Sequence, residues 1–354
     1  MQSRGLIDDS RALVLSSAQA TAKRSQLRKY IFGADELPSG LPTVTSTITS
    51  PVSDLTNLDT CDQLDFAIVL PKSTGANITV HLRAYHFKAD ADRLDECVLF
   101  CGGHTDTNDD DKTASPSNIG YGDWRMIESL LNAGFDVISY FMPGIYPGNG
   151  NACEANWGAP GGASPHPWLV ANVPDSTSGT AIRLFLTMPI VCMNYLVSIA
   201  LDFAAIVGLS GGGWTATWAQ ALDPRFTSAY SIMGSEPLYI RAGSAIGDDE
   251  QFHVPLYTQV GYLDLYAMAA DRGKFVSIRG AGDSIFGEST YDATVHPRLA
   301  GKTWTQAVTD FSDEVTATAA LLGSGTYTLH LDTQALTHQI SWQTAAWIVA
   351  ELTA

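Results

Sequence analysis

Residues 208–212 read Gly-Leu-Ser-Gly-Gly, a G-x-S-x-G pattern that follows an apolar run at 203–207 and precedes a stretch able to form a helix. A serine on such a sharp strand-to-helix turn has a strained backbone and a hydroxyl raised above the strand. The glycines have a steric reason: positions two before and two after the serine approach each other in the turn, and side chains there would clash. The first amides of the following helix face the space beside the hydroxyl, where they can stabilise an oxyanion. The chemistry this suits is attack by Ser210 on a carbonyl carbon. A serine hydroxyl is a poor nucleophile at neutral pH, so it needs an adjacent base, itself oriented by a carboxylate. The competing reading of the same residues is a Gly-rich helix start that only packs closely or binds a phosphate.

The elements that must position this serine can be read along the chain. Residues 64–70 and 78–87 form two strands around a Lys-Ser-Thr-Gly turn, an antiparallel hairpin. Residues 97–101 form a short apolar strand that ends in Gly102 and Gly103. A helix over 122–133 stops at Gly134, and 135–141 is the next strand. Residues 180–200 form an apolar helix kinked at Pro189. After the 203–207 strand and its helix come a strand at 226–233, a helix at 263–270, a strand at 275–279, a helix at 304–322, a strand at 327–331 and a closing helix at 340–352. Strands alternating with helices in this way predict an α/β fold, a mostly parallel sheet of about eight strands with helices on both faces. Residues 1–60 read as an N-terminal helical extension (11–31) and a Pro/Thr/Ser-rich connector (37–60), and 61–354 as the main domain. Within it, 145–178 is a long Gly-, Pro- and Asn-rich stretch of the kind that forms lids and pocket walls. It carries Trp157, His166 and Trp168.

Composition narrows the classes. The 354 residues are 45% hydrophobic and 16% charged, which suits a large buried core. Twenty basic residues against 37 acidic give a net charge of −17, which argues against nucleic acid and anionic membranes as partners. No apolar run approaches the length of a membrane span. The N-terminus has an arginine but no continuous apolar signal core. The expectation is a chain that stays in the cytoplasm, or one whose export signal has been removed. The five cysteines lack C-x-x-C spacing and read as buried thiols. The acidic run at 106–111 (DTNDDD) lacks the glycine and distant glutamate of an EF-hand loop and reads as a solvated loop. No metal and no cofactor is expected.

Over about residues 62–352 this order of elements, with the serine turn after the fifth strand, resembles the α/β-hydrolase superfamily. The GLSGGGW stretch and the D-P-R-F strand entry after it are similar to the dienelactone-hydrolase and acetyl-esterase branches. The resemblance implies a triad in the chain order serine, acid, histidine. The implied acid is Asp283, in the loop after the strand ending at Arg279. The implied base is His338, in the loop before the last helix. Glu236, Asp264 and Asp332 compete for the acid, and His330 for the base. The implied oxyanion hole takes the amide of Gly211 and a second amide from the Gly102-Gly103-His104 loop, with His104 favoured as donor. The usual superfamily order places a histidine before the glycine, whereas here it follows. Trp157, Trp168 and Trp214 are candidate substrate-binding residues, although Trp214 and Trp218, four apart on the helix after Ser210, also fit core packing.

The activity implied is a serine hydrolase cleaving a carboxylic ester through an acyl-enzyme on Ser210. The acyl group would be short to medium, because no long apolar lid helix is evident, and the alcohol would be small and polar, an acylated sugar being one such substrate. The alternatives are a serine peptidase of prolyl-oligopeptidase type and a non-catalytic binding module on a hydrolase scaffold. A nucleotide-binding fold fits less well, since the glycines run G-x-x-G-G-G rather than G-x-G-x-x-G.

Overall fold

The computed structural model of the chain describes residues 9–48, 55–90, 92–103, 123–140, 142–143, 165–176, 179–241 and 247–354. Nine strands form one sheet: β1 (Thr43–Ile48), β2 (Leu58–Pro71), β3 (Asn77–Ala89), β4 (Glu96–Cys101), β5 (Asp136–Tyr140), β6 (Asp202–Leu209), β7 (Ser228–Ile232), β8 (Lys274–Gly280) and β9 (Thr326–Asp332). Their order is β1-β2-β3-β5-β4-β6-β7-β8-β9. β1, β2 and β3 pair antiparallel, β3 also pairs antiparallel with β5, and every pairing from β5 to β9 is parallel. The hairpin, its partner strands and the alternation with helices are as the sequence predicts. The extra strand is β1, inside the stretch read as a connector.

Nine α-helices are assigned among the described residues: α1 (Ser17–Phe32), α2 (Asp123–Asn132), α3 (Pro165–Asn172), α4 (Ile182–Ser198), α5 (Gly211–Leu222), α6 (Val254–Tyr257), α7 (Tyr262–Ala269), α8 (Trp304–Leu322) and α9 (Trp342–Leu352). The central strands are buried on both faces, which is why they read as unbroken apolar runs. In β4, Cys97, Leu99 and Cys101 enter one core, with residues of α1, α4, α5, α7 and α8. Val98 and Phe100 enter the other, with residues of α2 and α9. Helix α4 contains Pro189 and runs on to Ser198.

The N-terminal helix is tied into this core by charge. Arg24 is buried, donates to the carbonyl oxygens of Ala221 and Met268, and pairs with Asp271 at 2.9 Å. Arg28 donates to the carbonyl of Leu222. Two guanidiniums thus satisfy carbonyls at the C-terminal ends of α5 and α7, where a helix leaves acceptors open. The Asp9 carboxylate accepts from the amides of Leu238 and Tyr239, and that of Asp264 from Leu13 and Val14.

Candidate active site

β5 lies to one side of β4 and β6 to the other, so the chain's crossovers diverge between β4 and β6. The carboxyl edge beside such a switch point is where open α/β sheets place their ligands. Ser210 stands there, at the end of β6, and begins α5. Its backbone has φ 56° and ψ −127°, a left-handed conformation costly for a side chain. The Ser210 amide donates to the Ile232 carbonyl at 2.9 Å, and its side chain makes no capping bond to α5. The glycines are required by contact. A Cβ on Gly208 would lie 2.1 Å from the Gly212 carbonyl oxygen, and one on Gly212 would lie 1.9 Å from that of Cys101.

The loop after β4 closes on the same point. Gly103 has φ +76°, and a Cβ there would lie 2.6 Å from the Leu209 carbonyl oxygen and 3.0 Å from the Gly211 nitrogen. The backbone at 103 therefore packs directly against the first amide of α5. His104 lies outside the described residues.

Two and three strands further along the sheet, the loop after β8 carries Asp283 and the loop after β9 carries His338. His338 Nδ1 lies 2.9 Å from Asp283 Oδ1, and the two residues are only 3% and 1% exposed. The same Asp283 oxygen accepts from the Ile285 amide at 2.8 Å. Both loops are braced. Asp332 accepts from the amides of Gln334 and Ala335 and from the Thr344 hydroxyl, so it holds the start of the His338 loop and the helix after it. The Phe286 ring stands edge-on to the His338 ring at 6.3 Å. With Nδ1 committed to Asp283, Nε2 is the nitrogen through which His338 can exchange a proton.

The competing acids and base have other work. Asp332 braces the loop, Asp264 holds the N-terminal segment, and His330 stacks on Trp347 at 4.0 Å. Burial lowers the His330 pKa. Glu236 is buried beside Arg279, Arg241 and Asp283. Burial pushes its carboxyl up to about 7 against the pull of the two guanidiniums, and the Asp283 charge adds to the rise. Sequence reasoning missed the two arginines. Arg279 donates to the Ser277 hydroxyl and the Ser235 carbonyl, and Arg241 donates to the Glu236 carbonyl at 2.7 Å. An arginine ending the apolar strand FVSIRG was the available signal.

The aromatic candidates fare differently. Trp214 is fully buried and donates to the Tyr257 hydroxyl at 2.8 Å, which corrects its reading as a substrate contact. It packs edge-on to Phe185 of α4 and against Trp218 in the core. Trp168 is half-buried, with the Lys72 ammonium of the β2–β3 turn 5.4 Å from its ring centre. Trp157 and the 106–111 acidic run lie outside the described residues.

No protein-family model matches the chain, and no curated protein sequence does. Solved structures do. A glucuronoyl esterase from Solibacter usitatus superposes with a TM-score of 0.59 at 14% identity, over 98% of each chain. Acetyl xylan esterase 1 from Thermoanaerobacterium sp. gives 0.54 at 14% identity, over 100% of this chain and 98% of that one. The chain has the α/β-hydrolase fold. An acetyl xylan esterase from Paenibacillus sp. shares it, with a TM-score of 0.55 at 12% identity and coverage of 100% and 98%. Within the described residues of this hydrolase fold, no helix is long and apolar enough to cross a membrane.

Proposed function

We propose that the protein is a serine hydrolase of carboxylic esters, with Ser210 as nucleophile, His338 as general base and Asp283 as the carboxylate that orients it. The observation that carries this reading is the buried His338–Asp283 hydrogen bond of 2.9 Å, on the same sheet edge as a serine held at positive φ. His338 Nε2 takes the hydroxyl proton as Ser210 Oγ attacks the ester carbonyl. Asp283 stabilises the imidazolium that forms. The Gly211 amide receives the developing oxyanion, and the loop that continues past Gly103 supplies the second donor, His104 by its position. The protonated histidine then gives its proton to the departing alcohol. Water, activated by the same nitrogen, releases the acid and restores Ser210.

The substrate class favoured is a small ester with a short to medium acyl group and a polar or sugar alcohol. Support comes from solved structures of the same fold whose names, glucuronoyl esterase and acetyl xylan esterase, join an ester to a sugar or a sugar polymer. The test is labelling with a fluorophosphonate probe, alongside turnover of p-nitrophenyl acetate and butyrate and of an acetylated xylo-oligosaccharide. Labelling and turnover that both vanish in Ser210→Ala are expected. A folded wild-type protein that takes no label would overturn the mechanism.

A further inference from the structure

Three side chains converge at a place that the hydrolytic reading does not use. His166 comes from the first turn of α3, and Asp248 and Glu250 from the short 3-10 turn Asp249–Gln251 and its N-cap. One ligand-capable atom from each lies within 4.8 Å of the other two. His166 and Glu250 are fully buried and Asp248 is half-buried.

The histidine's hydrogen bonding decides what the cluster can hold. His166 Nε2 lies 3.0 Å from the Pro143 carbonyl oxygen, and a carbonyl only accepts, so Nε2 carries a ring proton. His166 Nδ1 lies 3.0 Å from Glu250 Oε2. A lone pair on Nδ1 facing that carboxylate is repulsive unless a positive species lies with them, either a proton or a metal cation. The far-side bond to a backbone carbonyl is also the partner that a metal-ligating histidine ordinarily has. Asp248 brings a second carboxylate oxygen within 4.8 Å of that pair; a proton shared between His166 and Glu250 has no use for it, whereas a cation would take it as a third ligand.

We propose that His166, Asp248 and Glu250 form a binding site for one divalent first-row transition cation, of Zn2+ or Mn2+ type. One imidazole nitrogen with two carboxylates suits these ions better than Ca2+, which takes oxygen ligands alone, or Cu+, which prefers sulfur. Around an ion bonded at about 2.0–2.2 Å, donors at adjacent vertices lie about 3–3.5 Å apart. The His166–Glu250 pair is already at that separation. The ion's role is positional. It joins α3, in the 145–178 stretch, to the segment between β7 and α6, and the Asp175–His253 contact of 3.7 Å joins the same two segments again. That second segment reaches His338 through Gln251, Arg241 and Phe286: Arg241 lies 5.1 Å over the Phe286 ring, which is edge-on to His338.

The test is metal uptake by the full chain after chelator treatment, with Zn2+, Mn2+ and Ca2+ each added alone and read by titration calorimetry and elemental analysis. The expected result is one equivalent of Zn2+ or Mn2+ per chain, Ca2+ binding at least tenfold more weakly, and a melting temperature raised by the bound ion. Asp248→Asn, at a half-buried position, and His166→Gln should each weaken uptake at least tenfold. Circular dichroism of the same samples shows that the variants are folded without reference to Ser210, which keeps this result separate from the fate of the esterase reading. If the folded wild type takes up neither Zn2+ nor Mn2+, the site holds a proton instead and the proposal fails. Uptake unchanged in both variants would place the ion elsewhere and overturn it equally.

Discussion

Replacing Asp283 by Asn tests the acid most sharply, because the structure constrains what the amide can do. One oxygen, Asp283 Oδ1, takes both the His338 Nδ1 bond at 2.9 Å and the Ile285 amide at 2.8 Å. If the Asn side-chain nitrogen took that place, it would face two donors, so the amide oxygen must stay there. His338 then keeps its proton on Nδ1 and its orientation, and the variant loses only the charge. A carboxylate and an imidazolium about 4 Å apart at an effective dielectric constant of ~20 attract by about 4 kcal/mol, or about a thousandfold in rate. A histidine forced into the wrong tautomer would lose about ten-thousandfold. We therefore expect Asp283→Asn to lower kcat about a thousandfold with KM little changed. Asp283→Ala, which also frees the ring, should fall further. The assay is p-nitrophenyl acetate turnover, with the rate of fluorophosphonate labelling as a second readout. If Asp283→Asn keeps more than a tenth of wild-type turnover while Glu236→Gln loses it, Glu236 is the acid and the reasoning fails.

Three other outcomes follow from the geometry. Gly103→Ala combines a positive φ with a Cβ 2.6 Å from the Leu209 carbonyl oxygen. We expect kcat to drop by about a hundredfold, the scale of losing one oxyanion donor, with an unchanged circular dichroism spectrum; near-wild-type kcat would remove this loop from the reaction. Arg24→Met leaves the buried Asp271 carboxylate only the more distant Arg272 guanidinium, at 3.7 Å, and should cost about 1–3 kcal/mol in urea unfolding; a loss under about 1 kcal/mol would show that α1 is held by its apolar stripe alone. Glu236 is raised from 4.5 to about 7 in the folded chain. The folded state therefore binds more protons than the unfolded one, and this residue's contribution to stability falls as pH rises from 4.5 to about 7. Glu236→Gln removes that fall, so its stability relative to wild type should improve by about 3 kcal/mol between pH 4 and pH 8; a difference independent of pH would refute the raised value.

Much of this was legible in the sequence because local chemistry and strand order do most of the positioning. The Gly208–Gly212 contact, the unbroken apolar run of β4 and the stop at Gly134 are short-range consequences of residue type. Asp283 and His338 were found through the superfamily's chain order rather than through their own surroundings, and the bond between them spans 55 residues. What stayed hidden was long-range or lacked an apolar signal. β1 reads TVTSTI; its β-branched residues suit a strand, but on the sheet's edge even Val44 is 46% exposed, so no burial pattern marks it. The Pro-His-Pro-Trp start of α3 gives no helical periodicity, and nothing local tells His166 that its carboxylate partner lies at Glu250. Trp214 shows the opposite error: a large aromatic beside the nucleophile invites a substrate role, yet the helix is buried all round and Trp214 packs with Phe185, Trp218 and Tyr257.

The way α1 is anchored also bears on the order in which the molecule can be assembled. Ala12 donates to Glu314 across 302 positions of the chain, and Leu13 and Val14 to Asp264 across about 250. Synthesised at ~5–20 residues per second, the N-terminal segment waits on the order of ten to fifty seconds for its partners to leave the ribosome. During that interval the stripe of Ala20, Leu27 and Ile31 has no core to join, and Arg24 and Arg28 have no helix ends to grasp. The nascent protein must therefore keep an apolar, cationic arm out of other contacts until the α5 and α7 helices exist.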